Sequence, residues 1–199
     1  MSKKLRGEPI YIAPGILGWL DKNHSPHVID EKTNQQLNPR NINDKITIYE
    51  RQVKDWFLIP ATNLIRYKTK NKGFIVLMIC LSYLEGVEQY RRGQNSRGNS
   101  QRFFIFSLQR LYPNLHSENQ LRDFYSQARC GLFHTGMVQG KIIINNTFTH
   151  ALEFVDNYDI RVNPKKLLQD IKSDFQNYIQ ELRTNDESAS RFDGLYSNL

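Results

Sequence analysis

The chain has 199 residues, 39% of them apolar and 12% aromatic, with a formal net charge of +7 and a pI near 9.4. That length fits one domain, and 11 Phe with 10 Tyr suffice for a packed core. The longest apolar run, Phe74 to Leu81, is too short to span a membrane, and two isolated cysteines, Cys80 and Cys130, exclude a disulfide framework or a thiolate metal site.

Residues 1–43 carry Pro9, Pro14, Pro26 and Pro39, several Gly and Asn, and no sustained hydrophobic period. They are expected to form an irregular N-terminal arm, with at most a short strand at His27–Ile29. The opening MSKKLRGEPIYIAPG lacks a long apolar core and a small-residue cleavage site, so a secretory signal is not expected and a cytoplasmic setting is. From Asp44 onward, Ile46, Ile48, Tyr49, Val53, Trp56 and Phe57 recur at threes and fours, the mark of an amphipathic helix, which Pro60 is expected to kink or interrupt. A basic connection, RYKTKNKG, leads to FIVLMICLSYLEGVEQYRRG, expected to be a buried helix emerging into solvent near Glu85. After the loop NSRGNS, SQRFFIFSLQRLYP reads as a third helix stopped before Pro113.

Ser117 and Gln120 match a capping box and open the helix SENQLRDFYSQARCGLFHTG. Its apolar side is Leu121, Phe124, Ala128, Leu132 and Phe133, and Gly136 is its natural stop. KIIINNTFTHALEF is expected to be a short hairpin turning at Asn145-Asn146. Pro164 then starts a last amphipathic helix through Arg183, and residues 184–199 are expected to be a flexible tail. The fold class expected is mainly α: a bundle of four to five helices over 44–183, with a small hairpin before the last helix.

No Gly-rich phosphate loop, GxSxG elbow, HExxH or CxxC is present. His24 and His27 flank Pro26 and read as solvated loop histidines; His116 and His150 read as structural or exposed. No metal and no cofactor is expected. Arg129 and His134, in the run RCGLFH, are the chemically pointed pair. On an ideal α-helix they are separated by a rotation of about 140° and a rise near 7.5 Å, so one copy does not set them side by side. Two antiparallel copies about a two-fold axis gather two of each around one cleft. An imidazole can take the proton of a ribose 2′-OH or give one to a leaving oxygen, and a guanidinium matches a phosphate.

This arrangement resembles the HEPN superfamily, whose hallmark is an Arg, four to six residues, then a His on a late helix of a small bundle. The match here is Arg129-CGLF-His134 with an acidic residue, Glu85, closing the buried helix. The resemblance covers roughly Asp44–Arg183. It implies a metal-independent endoribonuclease acting on RNA as a homodimer, in defence or toxin–antitoxin biology, with an antitoxin or regulatory protein as a further partner. The other branch it implies is a non-catalytic module that binds RNA or a protein. Arg129 and His134 are then the catalytic candidates, with Glu85, Cys130, Thr135 and Tyr125 in support. Glu85 either orients Arg129 or His134, or forms a structural ion pair with Arg129, or simply marks where its helix meets solvent. Cys130 departs from the polar residue most common after the Arg, and Gly136 stands where some toxin members carry Tyr. RNA contact is expected from the basic segments through Arg66, Lys68, Lys70, Arg91 and Arg92, with Lys72, Arg97 and Arg102 in the same runs.

Overall fold

The computed structural model describes residues 7–67, 72–155 and 159–197. The chain forms two compact units, one of Met1–Pro60 with Asn177–Leu199 and one of Ala61–Gln176. Among the described residues no helix is long and apolar enough to cross a membrane.

The first unit corrects the expectation of an irregular arm. Residues 10–37 form a four-stranded antiparallel meander: β1 (Ile10–Ala13), β2 (Ile16–Leu20), β3 (Pro26–Asp30) and β4 (Gln35–Leu37). The His27–Ile29 expectation falls inside β3. Strands of three to five residues are too short for a period to stand out, and the pairing between them supplies the order. Alternate residues Ala13, Ile16, Val28 and Leu37 point inward and bury against Ile48 of helix α1 (Ile42–Val53). The turns carry their own chemistry: Gly15 takes φ +69°, and Asp21 Oδ1 accepts from the backbone N–H groups of Asn23 and Ser25. His27 is no solvated loop residue, since it stacks on Trp19 at 5.3 Å and hydrogen-bonds Asp21 at 3.2 Å.

Asn41 caps α1 through its side-chain oxygen. The interruption expected at Pro60 takes the form of a π-helical turn, Lys54–Leu58, in which Ile59 N–H reaches back to Lys54 O; α2 (Ile59–Arg66) follows. Proline has no N–H to give, and a wider turn just before it re-registers the hydrogen-bond ladder.

The tail expectation is corrected as well. Asn185 Oδ1 accepts from Ser188 N–H and opens α7 (Asp186–Tyr196). Phe192 is fully buried, its ring 5.1 Å from Tyr49, and Asp193 pairs with Lys45 at 2.6 Å. Helix α7 is polar but for Ala189, Phe192, Leu195 and Tyr196, so its helical face was too narrow to recognise.

The second unit is built on α3 (Lys72–Arg92), buried through Val76, Leu77, Cys80, Leu81 and Leu84. Burial pushes the Cys80 thiol up, which leaves it an inert packing group. Helix α4 (Ser100–Leu111) packs against α3, and the Ser117–Gln120 capping box is present at the start of α5 (Glu118–Phe124). Helix α6 (Pro164–Thr184) begins at Pro164 as its sequence indicates. The hairpin expectation is replaced by a three-stranded mixed sheet: β5 (Ile142–Ile144), β6 (Leu152–Val155) and β7 (Asp159–Val162), in the order β5-β7-β6. β7 lies between the other two, parallel to β5 and antiparallel to β6. A turn does begin at Asn145, with Phe148 N–H donating to Asn145 O at 3.4 Å, but it does not join two paired strands. It opens a longer crossing whose carbonyls at Asn146 and Phe148 accept from the Asn163 amide.

An interior ionic network joins α3, α4 and α6. Asp174 accepts from Tyr83 OH at 2.7 Å, from Arg91 at 3.4 Å and from Arg110, while Glu88 accepts from Arg92 at 2.7 Å and Arg110 at 3.3 Å. Carboxylates this deep are retained only because each is paired and hydrogen-bonded.

In the first unit Asp30, 3% exposed, ties β3 to α1 through Arg51 Nη2 at 2.8 Å and accepts from Lys32 N–H at 3.0 Å. Burial acts to raise its pKa, but the Lys32 amide and the Arg51 guanidinium outweigh it and hold the carboxyl below the ordinary range. Asp30→Asn is expected to lower stability by about 2 kcal/mol at neutral pH. The group's folded pKa is depressed, so its contribution is present above the unfolded carboxylate pKa of about 4 and is lost as pH falls through the folded value. Urea melts of both proteins across pH 2–7 check this: the two curves should converge only at the acid end.

Candidate active site

The site is assembled from three pieces of the second unit: the middle of α3, the loop after it, and the segment following α5. That segment, Tyr125–Thr135, is not α-helical. It is an 11-residue π-helix with i→i+5 hydrogen bonding, closed by Gly136 in the left-handed conformation at φ +75°. A π-helix of this length is rare, and such insertions concentrate at functional sites.

This changes the relation between Arg129 and His134. The rotation of about 140° that separates residues five apart belongs to an α-helix. An i→i+5 ladder takes more residues per turn than an α-helix does, so residues five apart are turned less far from one another here than on an α-helix. Arg129 and His134 therefore lie closer to one face of the segment than the α-helical geometry allows. Phe133 meets the same altered period: it is 43% exposed, not part of the buried face that Leu121, Phe124, Ala128 and Leu132 make.

Arg129 is half-buried and held from several directions. Its Nη2 donates to Glu85 Oε2 at 2.9 Å, and its guanidinium lies 5.6 Å from the Tyr125 ring centroid and 5.2 Å from that of Phe133. Glu85 Oε1 accepts from Ser96 Oγ at 2.8 Å, so the carboxylate divides its oxygens between the motif helix and the α3–α4 loop. Among the described residues Glu85 meets Arg129 and not His134, the contact that both an orienting role and a structural ion pair require. Burial raises the Tyr125 phenol's pKa while the Arg129 charge pulls the other way, and the ring stays protonated at neutral pH. His134 is exposed, and its imidazole takes no hydrogen bond among the described residues. Thr135 hydroxyl donates to Gly131 O at 2.8 Å, a bond within the helix end.

Gly131 lets the following loop close over the segment. Gln139 N–H donates to Gln127 O at 2.9 Å, and a methyl group on Gly131 would lie 2.6 Å from Met137 O. No group of three or more His, Cys, Asp or Glu able to hold a metal ion occurs among the described residues. The site thus offers a fixed guanidinium, an open imidazole and a neutral phenol: a donor for an anion and a group for proton transfer.

Comparison with protein-family models, with curated proteins and with solved structures finds no match.

The basic residues are distributed differently from the expected RNA contacts. Arg66 is exposed at the end of α2, whereas Lys68 and Lys70 lie outside the described residues. Lys72 Nζ donates to Ile65 O and caps α2. Arg91 and Arg92 are engaged by Asp174 and Glu88, while Arg97 and Arg102 are exposed. His116 packs 5.1 Å from Phe154, and burial lowers its pKa; it lines, with His150 and Tyr112, a cleft of about 520 Å³ between α4, β6 and α6. Sequence reading missed Ser96 and the exposed Phe133, whose roles depend on a loop contact and on a helix period that composition does not encode.

Gly131→Ala is expected to destabilise the protein by about 1–3 kcal/mol, because the obstructing atom is backbone and cannot rotate away. Thermal and urea unfolding of the purified variant measure this directly, and an unchanged midpoint would mean that the 137–139 loop does not sit against Gly131.

Proposed function

We propose that the chain is a HEPN-like, metal-independent endoribonuclease that works as a homodimer. The observation that carries the reading is that Arg129 and His134 share one π-helical segment, whose i→i+5 ladder turns residues five apart less far from one another than an α-helix does. Support also comes from the Glu85–Arg129 pair, from the open His134 imidazole and from the net charge of +7.

In this mechanism Arg129 keeps Nη2 on Glu85 and turns its remaining N–H donors to the scissile phosphate, where they stabilise the charge that builds on the equatorial oxygens. His134 takes the proton of the ribose 2′-OH, and the 2′ oxygen forms a bond to phosphorus. The bond from phosphorus to the 5′ oxygen breaks, and that oxygen receives a proton from His134 of the partner subunit. The products are a 2′,3′-cyclic phosphate and a 5′-hydroxyl, with atoms and charge balanced and no oxidant or metal required. Glu85 is a positioning residue, and Cys130 and Tyr125 stand beside Arg129 without entering the reaction. Toxin–antitoxin or defence biology belongs to this proposal, with an antitoxin or regulatory protein as the controlling partner.

A second reading, a non-catalytic module binding RNA or protein, is favoured by one feature. Arg129 is already paired with Glu85 and flanked by two rings, as a purely structural arginine would be.

Purified wild-type, Arg129→Ala and His134→Ala proteins, incubated with a mixed single-stranded RNA pool in EDTA, decide between the two. Wild type should cleave and leave cyclic-phosphate ends. Loss of the imidazole should lower the rate by about 10²–10⁴-fold, and loss of the guanidinium should lower it comparably. Full activity in His134→Ala would sink the catalytic assignment. RNA retained in a gel shift without cleavage would establish the binding module.

A further inference from the structure

A second cleft, of about 500 Å³, opens in the same unit between α4 and α5. Its charged lining is Arg102, Arg122 and Glu118, two guanidiniums against one carboxylate. Glu118 is taken by Arg122, Nε to Oε1 at 3.1 Å, and Arg122 also donates to Gln101 Oε1 at 3.1 Å. Arg102 is left without a carboxylate among the described residues. It is nonetheless held: its guanidinium carbon lies 5.2 Å from the Phe106 ring centroid, and Arg92 lies 3.8 Å from the same ring. The two arginines share one aromatic ring but differ in charge balance, since Arg92 is neutralised by Glu88 and Arg102 is not. The amides of Asn99, Gln101 and Gln109 supply uncharged donors around it.

The cleft is joined to the Arg129 pair. Asn99 and Gly98 on its rim belong to the loop that Ser96 anchors, through its hydroxyl to Glu85 and its N–H to Gln89 Oε1 at 3.0 Å. Asn99 N–H in turn donates to Ser96 O at 2.7 Å. One carboxylate thus fixes both the arginine of the reaction and the edge of the cleft.

We propose that this cleft binds a phosphodiester of single-stranded RNA flanking the bond at Arg129, with Arg102 as its uncompensated cation and the amides as phosphate or sugar donors. The assignment rests on RNA being the ligand of the Arg129–His134 site. A net positive cleft with one unpaired guanidinium and several amides suits a backbone anion that recurs along a strand.

The test is fluorescence anisotropy of a labelled twelve-nucleotide oligouridylate, titrated with the His134→Ala protein and with His134→Ala/Arg102→Ala, from about 50 to 200 mM salt. Loss of Arg102 should weaken binding about tenfold and lower the salt slope by about 0.7, the share of one phosphate on a single strand. Arg102→Lys should restore the slope. Equal affinity and slope with and without Arg102 overturn the cleft assignment, even if wild-type protein cleaves RNA. Displacement of the oligouridylate by polyglutamate at equal charge concentration overturns it in favour of an acidic peptide. If wild type fails to cleave but binding still depends on Arg102, the cleft stands and the nuclease reading falls.

Discussion

The carboxylate of Glu85 is the constraint on which the site depends. It sits half-buried near the middle of α3, with one oxygen on Ser96 and the other on Arg129. A partly desolvated charge in that position is tolerable only when both oxygens are satisfied, so the loop after α3 and the π-helical segment are fixed relative to each other by the same group. Arg129 is in turn confined between Tyr125 and Phe133, a planar cation between ring faces, which reduces the side-chain freedom it would lose on meeting an anion. His134 carries no such tether. The pair is asymmetric: one member is rigid and electrostatically balanced, the other is open to solvent.

The distribution of arginines explains why net charge is a coarse guide to an interface. Arg51, Arg91, Arg92, Arg110 and Arg129 each face a carboxylate, several in the interior, so a good part of the formal basicity is spent on internal structure. Within one short run, RRGQNSRGNSQR, the first two arginines join the network around Glu88 and Asp174 while Arg97 and Arg102 stay at the surface. Residues of like type thus have different fates: α3 turns Arg91 and Arg92 toward the carboxylates of Glu88 and Asp174, while the loop leaves Arg97 outside and the first turn of α4 leaves Arg102 exposed.

Much of the helical frame was legible. The apolar run from Phe74 announced α3, the Ser117–Gln120 box announced α5, and Pro164 announced α6, since each signal is local and chemically specific. The sheet of residues 10–37 was not legible, because Ile16 and Val28 become one buried face only after strands four or five residues long have paired. The mixed order β5-β7-β6 was hidden for a similar reason: nothing in Ile142–Ile144 says that its partner lies beyond the next strand. Helix α7 was obscured by its polar composition. Of the site, Arg129, His134 and Glu85 could be picked out by residue type and spacing. The π period that relates the first two could not, as it differs from an α-helix only in which carbonyl each N–H reaches.

The discontinuity of the first unit sets an order on biosynthesis. Ala61–Gln176 is continuous and can close on itself as soon as it is complete, whereas Met1–Pro60 shares its unit with Asn177–Leu199. At about 5–20 residues per second, ribosomal synthesis separates the two halves of that unit by on the order of ten seconds. During that interval Tyr49 lacks the Phe192 ring it packs against and Lys45 lacks Asp193, while the meander already presents its apolar face. The nascent chain therefore carries an unfinished, partly apolar unit while the later one matures, and the first unit is completed only once α7 has been made.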